Sequence, residues 1–279
     1  MILAAPALAA GHKTVFPEAA RAAPGGRAVE IVVAQAELSS NINPSMVDVA
    51  MGGGLLGVVI DAKIDSDREK HAQGEITPIR MALIDFDADQ LAIDTTRTAL
   101  GKLDWFQAAG PPDFARDPTV MAKSAELTSS AAGQVAFLEY VYDTSADFSS
   151  MRVGVTITIA DKAAPNGGNP EARLSGRNLV YAQTLTSVVR LSNPGSGAEN
   201  AARWAANDGA LARRALTAAF GEVGTLIPRA LTLTEDDLKR MAQGQRKSVG
   251  SYGGWVQEDG PDGTLFFNGG LIHVQTIQA

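Results

Sequence analysis

The sequence predicts an α+β protein: an antiparallel sheet covered on one face by helices, with a small C-terminal β meander. Three observations carry that expectation. Two alternating apolar runs stand back to back in "QVAFLEYVYDTSADFSSMRVGVTITIADK". Apolar residues recur at helical spacing before and after them. Strand-like and helix-like stretches come in blocks instead of alternating one by one, which disfavours a parallel α/β sheet.

The elements follow in order. "MILAAPALAA" ends in Ala7-Leu8-Ala9, the small-x-small pattern of a signal-peptidase site, and reads as the remnant of a signal peptide. Gly11 to Arg27, with Pro17, Pro24, Gly25 and Gly26, reads as a flexible leader. The first strand lies in "RAVEIVVAQAELSSNI", with Val29, Ile31 and Val33 on one face and Glu30 on the other. Met46 to about Lys70 reads as a helix that Gly74 breaks. Pro78 then opens a second helix reaching about Phe86, since proline is tolerated in a first turn. A third helix runs from near Leu91 to Lys102, and "LDWFQAAGPPDFARDPT" is a loop that tucks Trp105 and Phe106 into the core.

In the central hairpin Leu138, Tyr140 and Tyr142 share one face and Phe137, Glu139, Val141 and Asp143 the other. "NLVYAQTLTSVVRL" adds a third strand. The longest helix spans about Ala198 to Ile227 and ends before Pro228. Thr234 is an N-cap for a short last helix, with Asp237 in the place where a capping box prefers Glu or Gln. "GGWVQ", "GTLFF" and "LIHVQTI" form the meander, Asn268-Gly269 being a hairpin turn signal. The organisation expected is a leader at 1–27, a main domain at 28–243 and the meander at 244–279.

Composition narrows the function classes. The formal net charge is −7 with no basic stripe, which argues against nucleic acid. There is no cysteine, which excludes disulfides, thiolate metal sites, a cysteine nucleophile and a lipidated cysteine. Chemistry-bearing motifs are sparse. The glycine segment "AMGGGLLGVVIDAKI" has an uncharged run between Asp48 and Asp61 that is far short of the roughly 20 residues needed for a transmembrane span. Gly52, Gly54 and Gly57 match G-x-G-x-x-G, but Asn43-Pro44 separates them from the preceding strand, so a dinucleotide site is not expected. Gly53 and Gly57, with Ala50, put small residues on one helix face. Each glycine costs a helix about 1 kcal/mol against alanine, so a close contact, internal or with a partner, is the reading.

Asp85, Asp87 and Asp89 occupy the first ligand positions of a calcium loop, but Gln90 and Thr96 stand where its glycine and glutamate belong. They read as a helix junction, with Asp89 as the cap of the third helix. His12, His71 and His273 have no partner at metal-binding spacing, and no G-x-S-x-G elbow is present. His273 near Asp259 or Asp262 is the one place for acid–base chemistry, and a half-buried strand histidine is the plainer reading. No cofactor is expected.

"GGGLLGVVIDAKIDSDREKHAQGEITPIRMALIDFD", the central hairpin and "NLVYAQTL" together resemble uncharacterised exported envelope proteins of Gram-negative bacteria, over about residues 28–230. Many of those relatives carry a lipobox cysteine, and this chain has none. The resemblance implies an exported envelope protein and points to no catalytic residue; with the glycine spacing, the reading is a periplasmic protein that acts by binding, its contact face built by Gly53, Gly54 and Gly57 toward an envelope partner or a second copy. Peripheral membrane contact is a third mode. The competing class is a periplasmic hydrolase using carboxylates and His273, or a small-ligand carrier.

Overall fold

The computed structural model describes residues 14–41, 66–116, 120–162 and 178–278. Its centre is one ten-stranded sheet. The strands are β1 (Arg27–Val33), β2 (Ser39–Asn41), β3 (Asp113–Ala115), β4 (Gln134–Ser145), β5 (Ser150–Asp161), β6 (Leu179–Leu191), β7 (Arg246–Val249), β8 (Tyr252–Gly260), β9 (Gly263–Phe267) and β10 (Leu271–Ile277). The order across the sheet is β3-β1-β4-β5-β6-β10-β9-β8-β7, with β2 beside the end of β4.

The α+β class holds, but the sheet is mixed, not antiparallel. β1 runs parallel to both β3 and β4, β2 parallel to β4, and β10 parallel to β6. The physical reason is the connections. A parallel neighbour needs a long crossover, and the helices after β1 and after β6 supply one each. β1 is spelled for burial on both faces, with Val32 as buried as Ile31, which suits a strand flanked on either side. The C-terminal meander continues the same sheet, because β10 inserts between β6 and β9.

The helices are α1 (Ser66–Ala82), α2 (Ala88–Leu100), α3 (Val120–Ser129), α4 (Gly197–Thr232) and α5 (Glu235–Ala242). α4 packs against α1, α2, β5 and β6 and carries much of the core. Leu216, Phe220, Val223 and Ile227 meet Leu138, Tyr140, Val153, Val155 and Leu185 from the sheet, all with almost no exposure. Tyr140 and Tyr142 lie in this core, against the ring of Phe220. α3 was not legible in the sequence, and it sits on the other face. Its Leu127 packs on Val135, Phe137 and Ala160, so helices contact both faces. A third cluster, Val188, Phe266, Ile272 and Val274, is roofed on that same face by Val249, Tyr252 and Val256 from the meander.

Two prolines lie inside helices instead of bounding them. Pro78 sits within α1, which runs through Gly74, and Pro228 sits within α4. A helical proline collides with the carbonyl four residues back and leaves it without a donor. That residue is Gly74 in one case and Gly224 in the other. α4 has one true break, where Asn207, Asp208 and Gly209 take left-handed backbone. A Cβ at Gly209 would lie 3.0 Å from the Ala82 carbonyl oxygen, so the break lets α4 pass the end of α1. Arg213 then donates to that carbonyl at 2.6 Å.

Residues 14–26 are seated, not trailing. Phe16 is 2% exposed, stacks on Trp105 and meets Tyr181 edge-on. The Arg27 guanidinium lies over Phe16, Trp105 and Phe106 and donates to the carbonyls of Ala20 and Arg21.

Candidate functional site

The surface with most to offer a ligand is the far edge of the sheet, at β7 and β8. α5 leads into it. Thr234 and Asp237 form the reciprocal capping box that starts this helix, with the Thr234 amide donating to Asp237 at 2.9 Å. After α5 the chain pairs with itself: Arg246 opposite Trp255, Lys247 opposite Gly254, Val249 opposite Tyr252. Gly250, at φ 64°, makes the turn directly above Arg190, where a Cβ would lie 2.9 Å from the guanidinium carbon.

β7 is the outermost strand. Arg246, Lys247 and Ser248 are exposed, and among the described residues no strand pairs with its outer side. Arg246 rests over the Trp255 ring, 5.0 Å from its centre. Lys247 reaches Asp259 at 2.6 Å, and Thr264 donates to the other oxygen of that carboxylate. The Lys247 ammonium and then the Thr264 hydroxyl hold Asp259 below the usual aspartate range. Beside the strand lies an open groove of about 490 Å³, lined by Arg246, Lys247, Tyr252, Gly253, Gly254 and Asn268. Gly254 is required here for close strand packing, since a Cβ would sit 2.5 Å from the Phe267 carbonyl oxygen.

A buried polar cluster links the β7–β8 hairpin to β4 and β5 through Tyr252. Arg152 forks onto Asp143, its Nε donating at 3.0 Å, and both are nearly buried. Burial pushes the Asp143 carboxyl up, and Arg152 opposes that push. Tyr252 bonds to Ser150 and Arg152, and burial raises its hydroxyl too. On the same face Lys123 from α3 pairs with Glu139, near Glu30. Burial lowers the Lys123 ammonium to about 8.

The residues singled out in the sequence separate widely. Gly53, Gly54 and Gly57 lie outside the described residues, as does His12, and so does the side chain of His71. Asp85, Asp87 and Asp89 diverge. Asp85 binds Arg213, Asp89 binds Arg116, and Asp87, not Asp89, caps α2 by accepting from the Gln90 amide at 2.9 Å. Among the described residues no group of three acidic or histidine side chains comes together. His273 meets neither Asp259 nor Asp262. Its Nδ1 lies 3.4 Å from Glu222 on α4, and its neighbour across the β6–β10 pair is Ser187. Ser187 has no exposure, so this row presents no nucleophile to a substrate.

Sequence reasoning passed over β7. "RKSV" is short and lacks alternation, and the only signal was a basic pair held between Gly244 and Gly250. No family model matches the chain, and neither curated proteins nor solved structures give a match.

Proposed function

We propose that this protein is a non-catalytic component of the bacterial envelope that works in the periplasm by holding another protein. The observation that supports the reading best is the outer edge of β7, which offers unshared backbone groups, two cations and an adjoining groove to a passing chain. The signal-like N-terminus and the resemblance to exported envelope proteins support the compartment. The small-residue face of Gly53, Gly54 and Gly57 is a second contact proposed from sequence, toward an envelope protein, a second copy or a membrane surface.

The test is cross-linking of the tagged protein in its native envelope, followed by purification and mass spectrometry. A reproducible partner joined through residues 246–249 or 50–64 supports the reading. A partnerless protein in the same experiment removes it and favours a ligand carrier or an enzyme. Gly54→Leu and Gly57→Leu are expected to abolish capture with folding intact if the glycine face is a contact. Unfolding of both variants would make that face internal packing. Flotation with liposomes of several compositions checks the membrane mode, and failure in all of them excludes it.

A further inference from the structure

We propose that β7 accepts an extended, acidic peptide segment, which adds to the sheet as a further strand. The inference rests on reading the protein as a binding component and names the chemistry of what it binds.

Three observations converge on this edge. The first is backbone. Strand addition draws its affinity from main-chain hydrogen bonds along an open edge, and β7 ends the sheet with residues 246–248 exposed. The second is charge. In a chain of net charge −7, two consecutive cations stand on this edge. Arg246 is braced on the Trp255 ring, and among the described residues it has no carboxylate partner. Lys247 shares its charge with Asp259, which is exposed and exchangeable. The third is shape. An open, shallow surface over β8, where Gly253 and Gly254 carry no side chains, adjoins β7 on its inner side, so nothing from the hairpin overhangs the strand.

Basic residues on an edge also serve to keep copies of a protein from pairing edge to edge. A second copy would set Arg246 and Lys247 against their own equivalents, and like charges facing across a strand pair are unfavourable. That argues against self-pairing here and for a partner of opposite sign. The open edge and the uncompensated Arg246 together make a surface that recognises a strand, and they select an acidic one.

The probe is a short blocked peptide alternating valine and glutamate. Its controls are the valine–lysine counterpart and the acidic peptide with a central proline. Binding is read by fluorescence polarisation, and its location by hydrogen exchange. The acidic peptide is expected to bind at least about tenfold more tightly than the lysine peptide and to weaken as salt rises. It should slow exchange of the amides in 246–249, and the proline peptide should lose binding. The R246E/K247E variant is expected to reverse the preference. If that variant melts early, R246S/K247S is expected to abolish it. Equal binding of both peptides, or protection confined to another strand, overturns the proposal. So does an R246S/K247S protein that self-associates while the wild type ignores the peptide, because the cations would then only keep copies apart. A wild type that captures an envelope partner but ignores the peptide overturns strand addition and leaves the binding role standing.

Discussion

The indole N–H of Trp204 donates to the carbonyl of Phe148 at 2.7 Å, and Phe148 holds left-handed backbone with φ 52°. The bond ties the first arm of α4 to the tip of the β4–β5 hairpin. Asn200, one turn earlier, donates to the Asp147 carbonyl at 3.0 Å. Trp204→Phe keeps most of the ring and removes the donor. It leaves a buried carbonyl unpaired, so stability should fall by about 1–3 kcal/mol in urea unfolding. A change below measurement error would mean that the bond contributes nothing.

The same tip sets a pH dependence. Burial works against the Asp147 carboxylate, but hydrogen bonds from Ser145 and Ser149 outweigh it and leave its pKa below the ordinary 3.8. A carboxyl lowered in the folded state stabilises above its unfolded value, and the stabilisation is lost as pH falls through the folded one. Asp147→Asn should therefore be less stable than the wild type at neutral pH. The gap should close as the pH drops below 3.8. Parallel thermal melts across the acid range read this directly, and a gap that widened in acid would reverse the assignment.

Lys123 is the cation that α3 places beside Glu139 and Glu30. Removing it leaves the buried Glu139 carboxylate without its ammonium. Lys123→Met is expected to cost about 3–5 kcal/mol, whereas the double change K123M/E139Q should recover much of the loss. A double-mutant cycle by chemical denaturation measures the coupling. Additive single and double values would show that the pair is not coupled.

Two glycines should respond in opposite directions to alanine. A Cβ at Gly270 would run into the Thr184 carbonyl oxygen, at the seam between β10 and β6. Gly270→Ala should open that seam, lowering the melting temperature and exposing amides of 271–277. Gly74 has open space around it within α1. Gly74→Ala should stabilise by up to about 1 kcal/mol. Equal effects would contradict the packing described at both sites.

Much of the central hairpin was legible, because period-two alternation states which side chains share a face. Leu138, Tyr140 and Tyr142 turn to the core as the pattern requires. The Thr234 cap was legible for the same local reason. Strand direction was not. Alternation in β1 reads identically whether its neighbour is parallel or antiparallel, and the partners lie far along the chain. Pro78 and Pro228 read as a start and a stop, yet α1 and α4 run through them, held by mutual packing that single-residue rules do not see. Phe16 stood alone in a Pro- and Gly-rich leader. Its seat is built by Arg27, Trp105 and Tyr181, which only the fold assembles. For the candidate site, the basic pair at 246–247 was visible, but its place on an open edge depends on which strand ends the sheet. Gly53, Gly54 and Gly57 fall outside the described residues.

The position of β10 sets an order for biogenesis. It lies between β6 and β9, inside the sheet, yet the ribosome makes it after both of them. Until residues 271–277 emerge, β6 has a bare side and the hairpins of the meander have nothing to lean on. Closing the sheet thus waits for β10 and joins segments far apart in sequence, which slows folding. The central hairpin can therefore form long before the sheet is whole, and β10 is the piece that joins the two halves.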